Sequence, residues 1–337
     1  MNWETVLPVL FFGVIGFSTL MYVLLDGFVL GLGALAPFAE DEHQLDHMMN
    51  TAAPIWDGNE TWLVLGGNAL LAAFPPAFGI IMSGLYLPVL LMLLALVFRG
   101  VAFEFRFKAV RGKRFWGGAF ALGSMFAAFA QGVILGAVVE GMPVQEGKYI
   151  EGVFGWFSPF SMLTGVALVF GYALLGSTWL ILKTEGRLQK LARHMARPLV
   201  LVVVAFMGLV STWLPFLDSR IMARWFEGGN FWWLFPVPVL ALVNAWLLWR
   251  AAMREGRDAA PFVLTLTFFG LGFAGLVLGI WPNIVPPDLT IWEASSPPSS
   301  QIFVGVGMVI LLPVILGYTW WAYRVFAGKI AADVGYH

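Results

Sequence analysis

Long runs of hydrophobic residues, separated by short polar stretches, dominate this sequence. About 20 apolar residues suffice to cross the hydrocarbon core of a bilayer as a helix. Nine runs of this kind predict nine transmembrane helices. The predicted helices are 5–33, 52–74, 77–103, 116–139, 158–182, 198–217, 231–251, 261–283 and 301–326. No long polar linker divides the chain, so residues 1–337 are predicted to form one polytopic membrane domain.

Proline and serine residues mark several of the predicted helix ends. Pro75-Pro76 separates the second and third runs, and Pro198 and Pro261 open the sixth and eighth. The first run follows Glu4 without a basic residue and is longer than the apolar region of a cleaved signal. It is therefore predicted to be a retained helix.

The basic residues predict the orientation of the helices. Most Lys and Arg residues follow odd-numbered helices, within 106–114, 183–197, 250–257 and 324–329. Loops rich in Lys and Arg face the cytoplasm. This pattern places the N-terminus outside and the C-terminus in the cytoplasm.

Composition excludes several other classes of protein. Hydrophobic residues make up 60% of the chain and charged residues 12%, whereas a soluble domain carries about 25% charged residues. A soluble domain is therefore not expected, and the net charge of -1 does not indicate nucleic acid as a partner. The chain has no cysteine, which excludes disulfides, thiolate-bound iron–sulfur clusters and covalent c-type haem.

Ionisable residues inside the predicted spans are candidates for function, because each is costly in a membrane unless paired or hydrated. Asp26, Asp57 and Arg99 lie roughly 8–10 Å in from the cytoplasmic boundary, at about 1.5 Å per residue. Glu60 follows Asp57 by three residues, on the same face of its helix. One interpretation is a cytoplasm-facing proton inlet that uses Asp57, Asp26 and Glu60. The other is an ion-pair cluster that fastens helices, with Arg99 paired or extended to the interface.

Histidine positions argue against a haem in this chain. His43, His47, His194 and His337 all fall in predicted loops or the tail, so no span offers a histidine ligand. His43 and His47, four residues apart in a short acidic loop, are not a favoured metal site. We predict no metal site, haem ligand or catalytic residue in this chain.

Glycines predict close contacts between helices. Gly27 and Gly31 in the first helix, and Gly270, Gly272 and Gly275 in the eighth, leave room for a neighbouring backbone. This pattern indicates packing and carries no chemistry of its own.

Three segments, in a fixed order, resemble motifs of subunit II of cytochrome bd-type quinol oxidases. Residues 26–33, DGFVLGLG, resemble its DGFDLG element, and residues 54–63, PIWDGNETWL, resemble its PVWDGNEVWL signature. Residues 99–106 are similar to its RGVAFEFR element. Val29 departs from the usual second aspartate of DGFDLG, which puts in doubt any role that needs that acid. The short length resembles the cyanide-insensitive branch of the family.

The resemblance implies two four-helix bundles plus one peripheral helix. It also implies a heterodimer in the bacterial cytoplasmic membrane, whose subunit I carries haems b558, b595 and d (or b). The dimer oxidises quinol and reduces O₂ to water, as an electrogenic, translocase-type enzyme. Subunit II carries no haem and supports assembly. A small accessory subunit, lipid and quinone are further candidate partners.

The resemblance also assigns expected roles to four residues. Asp57 matches the aspartate that the family places on a proton route toward the partner's haems. Trp56, Arg99 and Asp26 fall in elements that lie near a structural quinone in some members. Two alternatives stay open: a secondary transporter, in which buried charges mark a substrate site, and a scaffold subunit without a proton role.

Overall fold

The computed structural model describes residues 3–217, 219–226, 228 and 230–331, and this part of the chain is almost entirely helical. Its α-helices are α1 (Trp3–Leu25), α2 (Gly27–Leu35), α3 (Glu42–Asn50), α4 (Trp56–Ala73), α5 (Pro75–Lys108), α6 (Lys113–Glu140), α7 (Pro159–Lys183), α8 (Gly186–Leu217), α9 (Ser219–Phe226), α10 (Phe231–Leu234), α11 (Pro236–Met253), α12 (Ala259–Ile280) and α13 (Pro298–Val325). A 3-10 turn, Ala36–Phe38, follows α2. Two short antiparallel hairpins pair β1 (Val144–Gln145) with β2 (Lys148–Tyr149), and β3 (Asn283–Val285) with β4 (Leu289–Thr290).

Within the described residues, eight segments are long and apolar enough to cross a membrane. They are Trp3–Phe38, Pro75–Lys108, Lys113–Glu140, Pro159–Lys183, Gly186–Leu217, Phe231–Met253, Ala259–Ile280 and Pro298–Val325. The second predicted span corresponds to α4, which has 18 residues. Because of its polar residues, Asp57, Asn59, Glu60 and Asn68, α4 is not among these eight apolar segments.

The long helices form two groups and one outlying helix. In the first group α1 packs against α4, α2 against α6, and α5 against α6. In the second group α7 contacts α8 and α12, and α11 contacts α8 and α12. Helix α13 packs against α4 and α1 and buries only Gln301. This arrangement agrees with the predicted two bundles and peripheral helix, while the orientation in the membrane stays a prediction.

Helix α8 begins at Gly186, well before the predicted start at Pro198. The predicted basic loop after residue 182 and the start at Pro198 are wrong, because Gly186–Leu217 is one helix with Pro198 inside it. Buried residues recur at every fourth position along its first turns: Leu188, Ala192, Ala196 and Val200. This spacing lets the helix bury one face while most of its basic residues point outward.

Three histidines lie on helices, so the prediction that all four occupy loops or the tail is wrong. His43 and His47 lie on α3, which Asp41 caps by accepting a hydrogen bond from the backbone N–H of Gln44 at 2.7 Å. His194 lies, exposed, on α8. His337 falls outside the described residues.

The segment after α13, which we call the C-terminal clamp (residues 326–331), ties three helix ends together. Lys183, the last residue of α7, donates to the carbonyl oxygens of Phe326 and Gly328, and its own carbonyl accepts the N–H of Ile330 at 2.8 Å. Nε2 of His47 lies 2.9 Å from the carbonyl oxygen of Ile330. Buried His47 thus has a structural contact.

The two helix groups meet where α7 packs against α6 and crosses α2. A Cβ atom on Gly31 would lie 1.8 Å from the carbonyl oxygen of Tyr172, and one on Gly176 would lie 2.5 Å from the carbonyl carbon of Gly31. A Cβ on Gly27 would lie 2.7 Å from the Tyr172 ring. The predicted close contact at Gly27 and Gly31 is confirmed.

The predicted contact in α12 is only partly confirmed. A Cβ on Gly272 would lie 3.0 Å from the flexible end of Met207, but one on Gly270 would meet nothing within 4 Å. A Cβ on Gly275 would make an ordinary contact with Val237 at 3.7 Å.

Candidate functional site

Asp26 lies between α1 and α2 and is fully buried. The chain continues in helical conformation through it, because its N–H donates to the carbonyl of Tyr22 and its carbonyl accepts from Leu30. The carbonyl of Leu25 accepts a hydrogen bond at 2.8 Å from the side-chain amide of Asn59 on α4. The acid therefore occupies a fixed position beside α4.

Arg99 joins Asp26 to a second acid. Its Nη2 atom lies 3.0 and 2.9 Å from the two carboxylate oxygens of Asp26 and 2.7 Å from Oε1 of Glu60. The Arg99 and Asp26 side chains have no exposed surface, whereas 30% of the Glu60 side chain is exposed. Helices α1–α2, α4 and α5 thus meet at one guanidinium. Nε and Nη1 of Arg99 are buried without a hydrogen-bond partner among the described residues.

Trp56 covers one side of this cluster. Its ring stacks on Phe103 with centroids 5.3 Å apart, and the guanidinium carbon of Arg99 lies 5.3 Å from its centroid. A Cβ on Gly100 would approach the Trp56 ring to 3.2 Å, so a larger residue there would push the ring. A cation over an indole face is electrostatically favourable.

Asp57 lies on the exposed side of the first turn of α4. Asp26 and Arg99 are in contact, as their shared predicted depth indicated, but the second carboxylate on Arg99 is that of Glu60. Asp57 comes one turn earlier, and its charge acts on Glu60. The three predicted acids therefore lie at increasing depth, from exposed Asp57 through partly exposed Glu60 to buried Asp26.

Tyrosine and glutamine side chains, which the sequence analysis did not single out, extend the polar network. Tyr22 is buried one helical turn before Asp26 and interacts electrostatically with its carboxylate. Nε2 of Gln131 donates to the Tyr22 hydroxyl at 2.7 Å, and the Tyr172 hydroxyl donates to Oε1 of Gln131 at 2.8 Å. Only Tyr22 had a local signal, since it precedes Asp26 by one helical turn.

The acids near His43 and His47 bind basic side chains. Fully buried Arg106 contacts Glu42 at 2.6 Å and Asp46 at 2.9 Å, and Lys113 contacts Asp46 at 3.0 Å. Among the described residues, no group of three or more His, Cys, Asp or Glu side chains is placed to hold a metal ion.

Burial limits how a quinone could use this cluster. Arg99 and Asp26 expose no surface, so a molecule outside the chain can touch neither in this conformation. Trp56 is partly exposed but stacks on Phe103. A quinone bound outside the chain would therefore contact Trp56 and not Arg99 or Asp26.

Fold and site together define a multi-pass α-helical membrane protein with a charge cluster buried between its helices. The sequence matches the family described as "Cytochrome bd terminal oxidase subunit II" over residues 7–326. The chain belongs to this family and is a subunit of a terminal oxidase. It is a multi-pass protein of the bacterial cytoplasmic membrane.

Curated relatives match over nearly the whole chain. Cytochrome bd ubiquinol oxidase subunit 2 of Bacillus subtilis is 29% identical, covering 98% of this chain and 96% of that protein. Cytochrome bd-I ubiquinol oxidase subunit 2 of Escherichia coli is 28% identical, covering 95% and 94%.

A solved structure confirms the predicted fold class. A chain in the structure of bd oxidase from Geobacillus thermodenitrificans superposes with a TM-score of 0.79 at 17% sequence identity. The match covers 95% of this chain and 98% of that chain.

Proposed function

We propose that this chain is the haem-free subunit II of an oxidase that oxidises quinol and reduces O₂ to water. In this proposal it assembles with subunit I as a heterodimer and delivers cytoplasmic protons toward the haems b558, b595 and d (or b) of that partner. We assign quinol as the substrate because the curated relatives are named as subunits of ubiquinol oxidases. Redox chemistry takes place in the partner, and proton uptake from one side makes the complex electrogenic and translocase-type.

The main support for a proton role is that three acids near Arg99 differ in their exposure to solvent. Asp57 is exposed, Glu60 is 30% exposed, and Asp26 has no exposed surface. Asp57 and Glu60 are three residues apart on α4, a spacing that brings side chains together on one helix face. A proton can therefore pass from the surface carboxylate to the partly buried one.

Arg99 has a distinct role in this proposal. Its positive charge offsets the cost of placing Glu60 and Asp26 away from water, because an unpaired carboxylate there would be strongly disfavoured. With two acids on one base, the cluster has one negative charge in excess. This excess charge favours binding of one proton.

Replacement of Asp57 tests the proton role. Asp57→Asn in the assembled oxidase should slow quinol-driven O₂ consumption by about a hundredfold or more, the scale of losing a positioned proton-transfer group. The haem spectrum should stay unchanged. The matched control is Glu104→Gln, since Glu104 is an exposed acid near the end of α5 that pairs with Lys108 at 3.2 Å. Full turnover in Asp57→Asn would rule out this inlet.

A scaffold role is the second candidate, favoured by the complete burial of the Arg99–Asp26 pair. Buried pairs are strongly destabilising when one partner is removed, whether or not they conduct protons. Under this alternative, the Asp57→Asn variant would keep full turnover. The partner's haems would be lost only when Arg99 or Asp26 is replaced. Family membership gives no support to the transporter alternative.

A further inference from the structure

We propose that a groove at the predicted cytoplasmic end of the first helix group binds one anionic phospholipid. The groove lies between α6 and the segment that joins α2 to α3, and Arg114 stands at its mouth. We call it the interfacial groove and define it by Pro37, Leu45, Gly118, Ala121, Leu122 and Met125. This inference goes beyond the proposed proton role, because it assigns a lipid to a part of the chain away from Arg99.

The interfacial groove has apolar walls on both sides. The early turns of α6 form one wall, and the turn after α2 forms the other together with α3. The enclosed cavity measures about 340 Å³, and small-molecule pockets begin at about 300 Å³. A Cβ atom on Gly118 would meet nothing within 4 Å, so α6 borders open space at this point. The cavity therefore has the size and lining to take part of an apolar chain.

The interfacial groove runs along the axis of α6, away from the basic loop. Arg114 precedes Gly118 by four residues and so lies on the same face, one turn nearer the loop. From Gly118 to Met125 the helix rises by about 10 Å. Trp116 packs on Phe105 with ring centroids 5.0 Å apart, at the level of the mouth, and tryptophan is enriched at membrane–water interfaces. A phospholipid has the same order of parts, with a charged headgroup above an apolar chain.

Most charges around the mouth are paired with one another. Glu42 and Asp46 contact buried Arg106 at 2.6 and 2.9 Å, and Asp46 contacts Lys113 at 3.0 Å. These two acids balance these two bases. Arg114 comes in addition: its side chain is 95% exposed, and its Nε atom lies 3.7 Å from Glu42, beyond hydrogen-bond distance. Its guanidinium can therefore turn toward a headgroup.

The loop before α6 adds further positive charge. Arg111 is exposed, whereas the charge of Lys108 is offset by Glu104 at 3.2 Å. The mouth thus carries Arg111 and Arg114 in excess of the balanced cluster. Basic residues beside a membrane attract the anionic lipids of the cytoplasmic leaflet, and the arginine fork matches the oxygens of a phosphate. This charge complementarity identifies the occupant as an anionic phospholipid, since a zwitterionic headgroup gains less from it.

The test is a lipid titration of the delipidated, assembled oxidase, followed by native mass spectrometry. The probes are phosphatidylglycerol and phosphatidylcholine with identical acyl chains, which differ in headgroup charge. In the wild type, we expect the first phosphatidylglycerol to bind more tightly than the first phosphatidylcholine.

Replacement of Arg114 tests the headgroup contact. Arg114→Gln should weaken binding of the first phosphatidylglycerol about fivefold, the effect of one basic residue near an anionic membrane surface. Binding of phosphatidylcholine should stay unchanged. Arg257→Gln, which removes an exposed arginine from the loop before α12, is the matched control and should change neither affinity.

Replacement of Gly118 tests the groove itself. Gly118→Leu fills the space beside α6 and keeps both arginines, so the tight phosphatidylglycerol should be lost at concentrations that saturate the wild type. Gly208→Leu on α8 is the control, because Gly208 is also exposed and a Cβ there meets nothing within 4 Å. If Gly118→Leu does not assemble, Arg114→Glu reverses the charge at an exposed position and should remove the preference for phosphatidylglycerol.

Three outcomes would overturn the inference. Equal affinities of the wild type for the two lipids would contradict the role of charge. Tight phosphatidylglycerol binding that persists in both Arg114→Gln and Gly118→Leu would place the lipid elsewhere. A lower yield of assembled oxidase in Gly118→Leu with unchanged lipid binding would show that a protein covers the groove. None of these outcomes depends on O₂ consumption, so they are separate from a failure of the proton role.

Discussion

Asp258, just before α12, joins the C-terminal clamp to the second helix group. Its carboxylate accepts hydrogen bonds from Lys329 at 2.6 Å, from Gln189 at 3.0 Å and from Arg193. Burial raises the pKa of Asp258, but the hydrogen bonds from Lys329 and Gln189 and the charges of Lys329 and Arg193 outweigh it. The pKa therefore lies below the ordinary value of 3.8.

This lowered pKa predicts a pH-dependent contribution to stability. A carboxyl group with a pKa below its unfolded value stabilises the fold above that unfolded value, and the effect is lost as the pH falls through the lowered pKa. Asp258→Asn should therefore lower the thermal unfolding midpoint by a few degrees between pH 5 and 7. The difference should shrink once the pH falls below about 3.8.

Thermal scans of the purified oxidase at several pH values would measure this difference. Glu255→Gln, an exposed carboxyl in the same loop, is the control and should leave the midpoint unchanged. A difference between Asp258→Asn and wild type that persists undiminished at low pH would contradict the explanation.

At the charge cluster, sequence reasoning predicted the shared depth of Asp26 and Arg99, because rise per residue is fixed in a helix. It did not predict which acid of α4 reaches Arg99, since that depends on the rotation of α4 about its axis. Asp57 and Glu60 are three residues apart, yet one is exposed and the other contacts the guanidinium. Gln131 and Tyr172 could not be predicted, because they reach the site from two other helices.

Among the elements, the crossing of α2 and α7 is the contact most sensitive to added volume. Gly31→Ala should disrupt it, because the added Cβ meets the backbone of α7, which cannot move aside as a flexible side chain can. Overpacking of this kind typically costs about 1–3 kcal/mol and occasionally more. We expect a lower yield of assembled, haem-containing oxidase and a lower unfolding midpoint.

The control for this prediction is Gly67→Ala on α4, where an added Cβ meets nothing within 4 Å. Alanine favours helix over glycine by about 0.5–1 kcal/mol, so this variant should be neutral or slightly stabilising. Equal yields and equal unfolding midpoints for Gly31→Ala and Gly67→Ala would show that the crossing of α2 and α7 is not tightly packed in the membrane.

Element boundaries were predicted where hydrophobicity changes sharply and missed where it does not. Helix α8 continues through a basic stretch, because its buried positions keep a four-residue spacing even though its outward positions are charged. The short helix α3 was missed for a related reason, since Leu45, Met48 and Met49 are buried among polar neighbours. Polar residues within α4 serve contacts to α1, α5 and α13 and are therefore tolerated in a long helix.

At the scale of the whole molecule, the absence of cysteine makes the predicted orientation directly testable. Single cysteines can be placed at exposed Lys148, in the β1–β2 hairpin, and at exposed Arg257, before α12. An impermeant thiol reagent should label Lys148→Cys in spheroplasts and should label Arg257→Cys only after the membrane is opened. Labelling of Arg257→Cys alone in sealed spheroplasts would reverse the predicted orientation.

Tyr172 takes part both in the crossing of the two helix groups and in the hydrogen bonds that join it through Gln131 to Tyr22. Its carbonyl lies against Gly31, and its hydroxyl donates to Gln131. The spacing between the two halves of the molecule therefore sets the length of the hydrogen bond between Tyr172 and Gln131. A displacement of α7 large enough to admit one methyl group would therefore also strain or break the hydrogen bond between Tyr172 and Gln131.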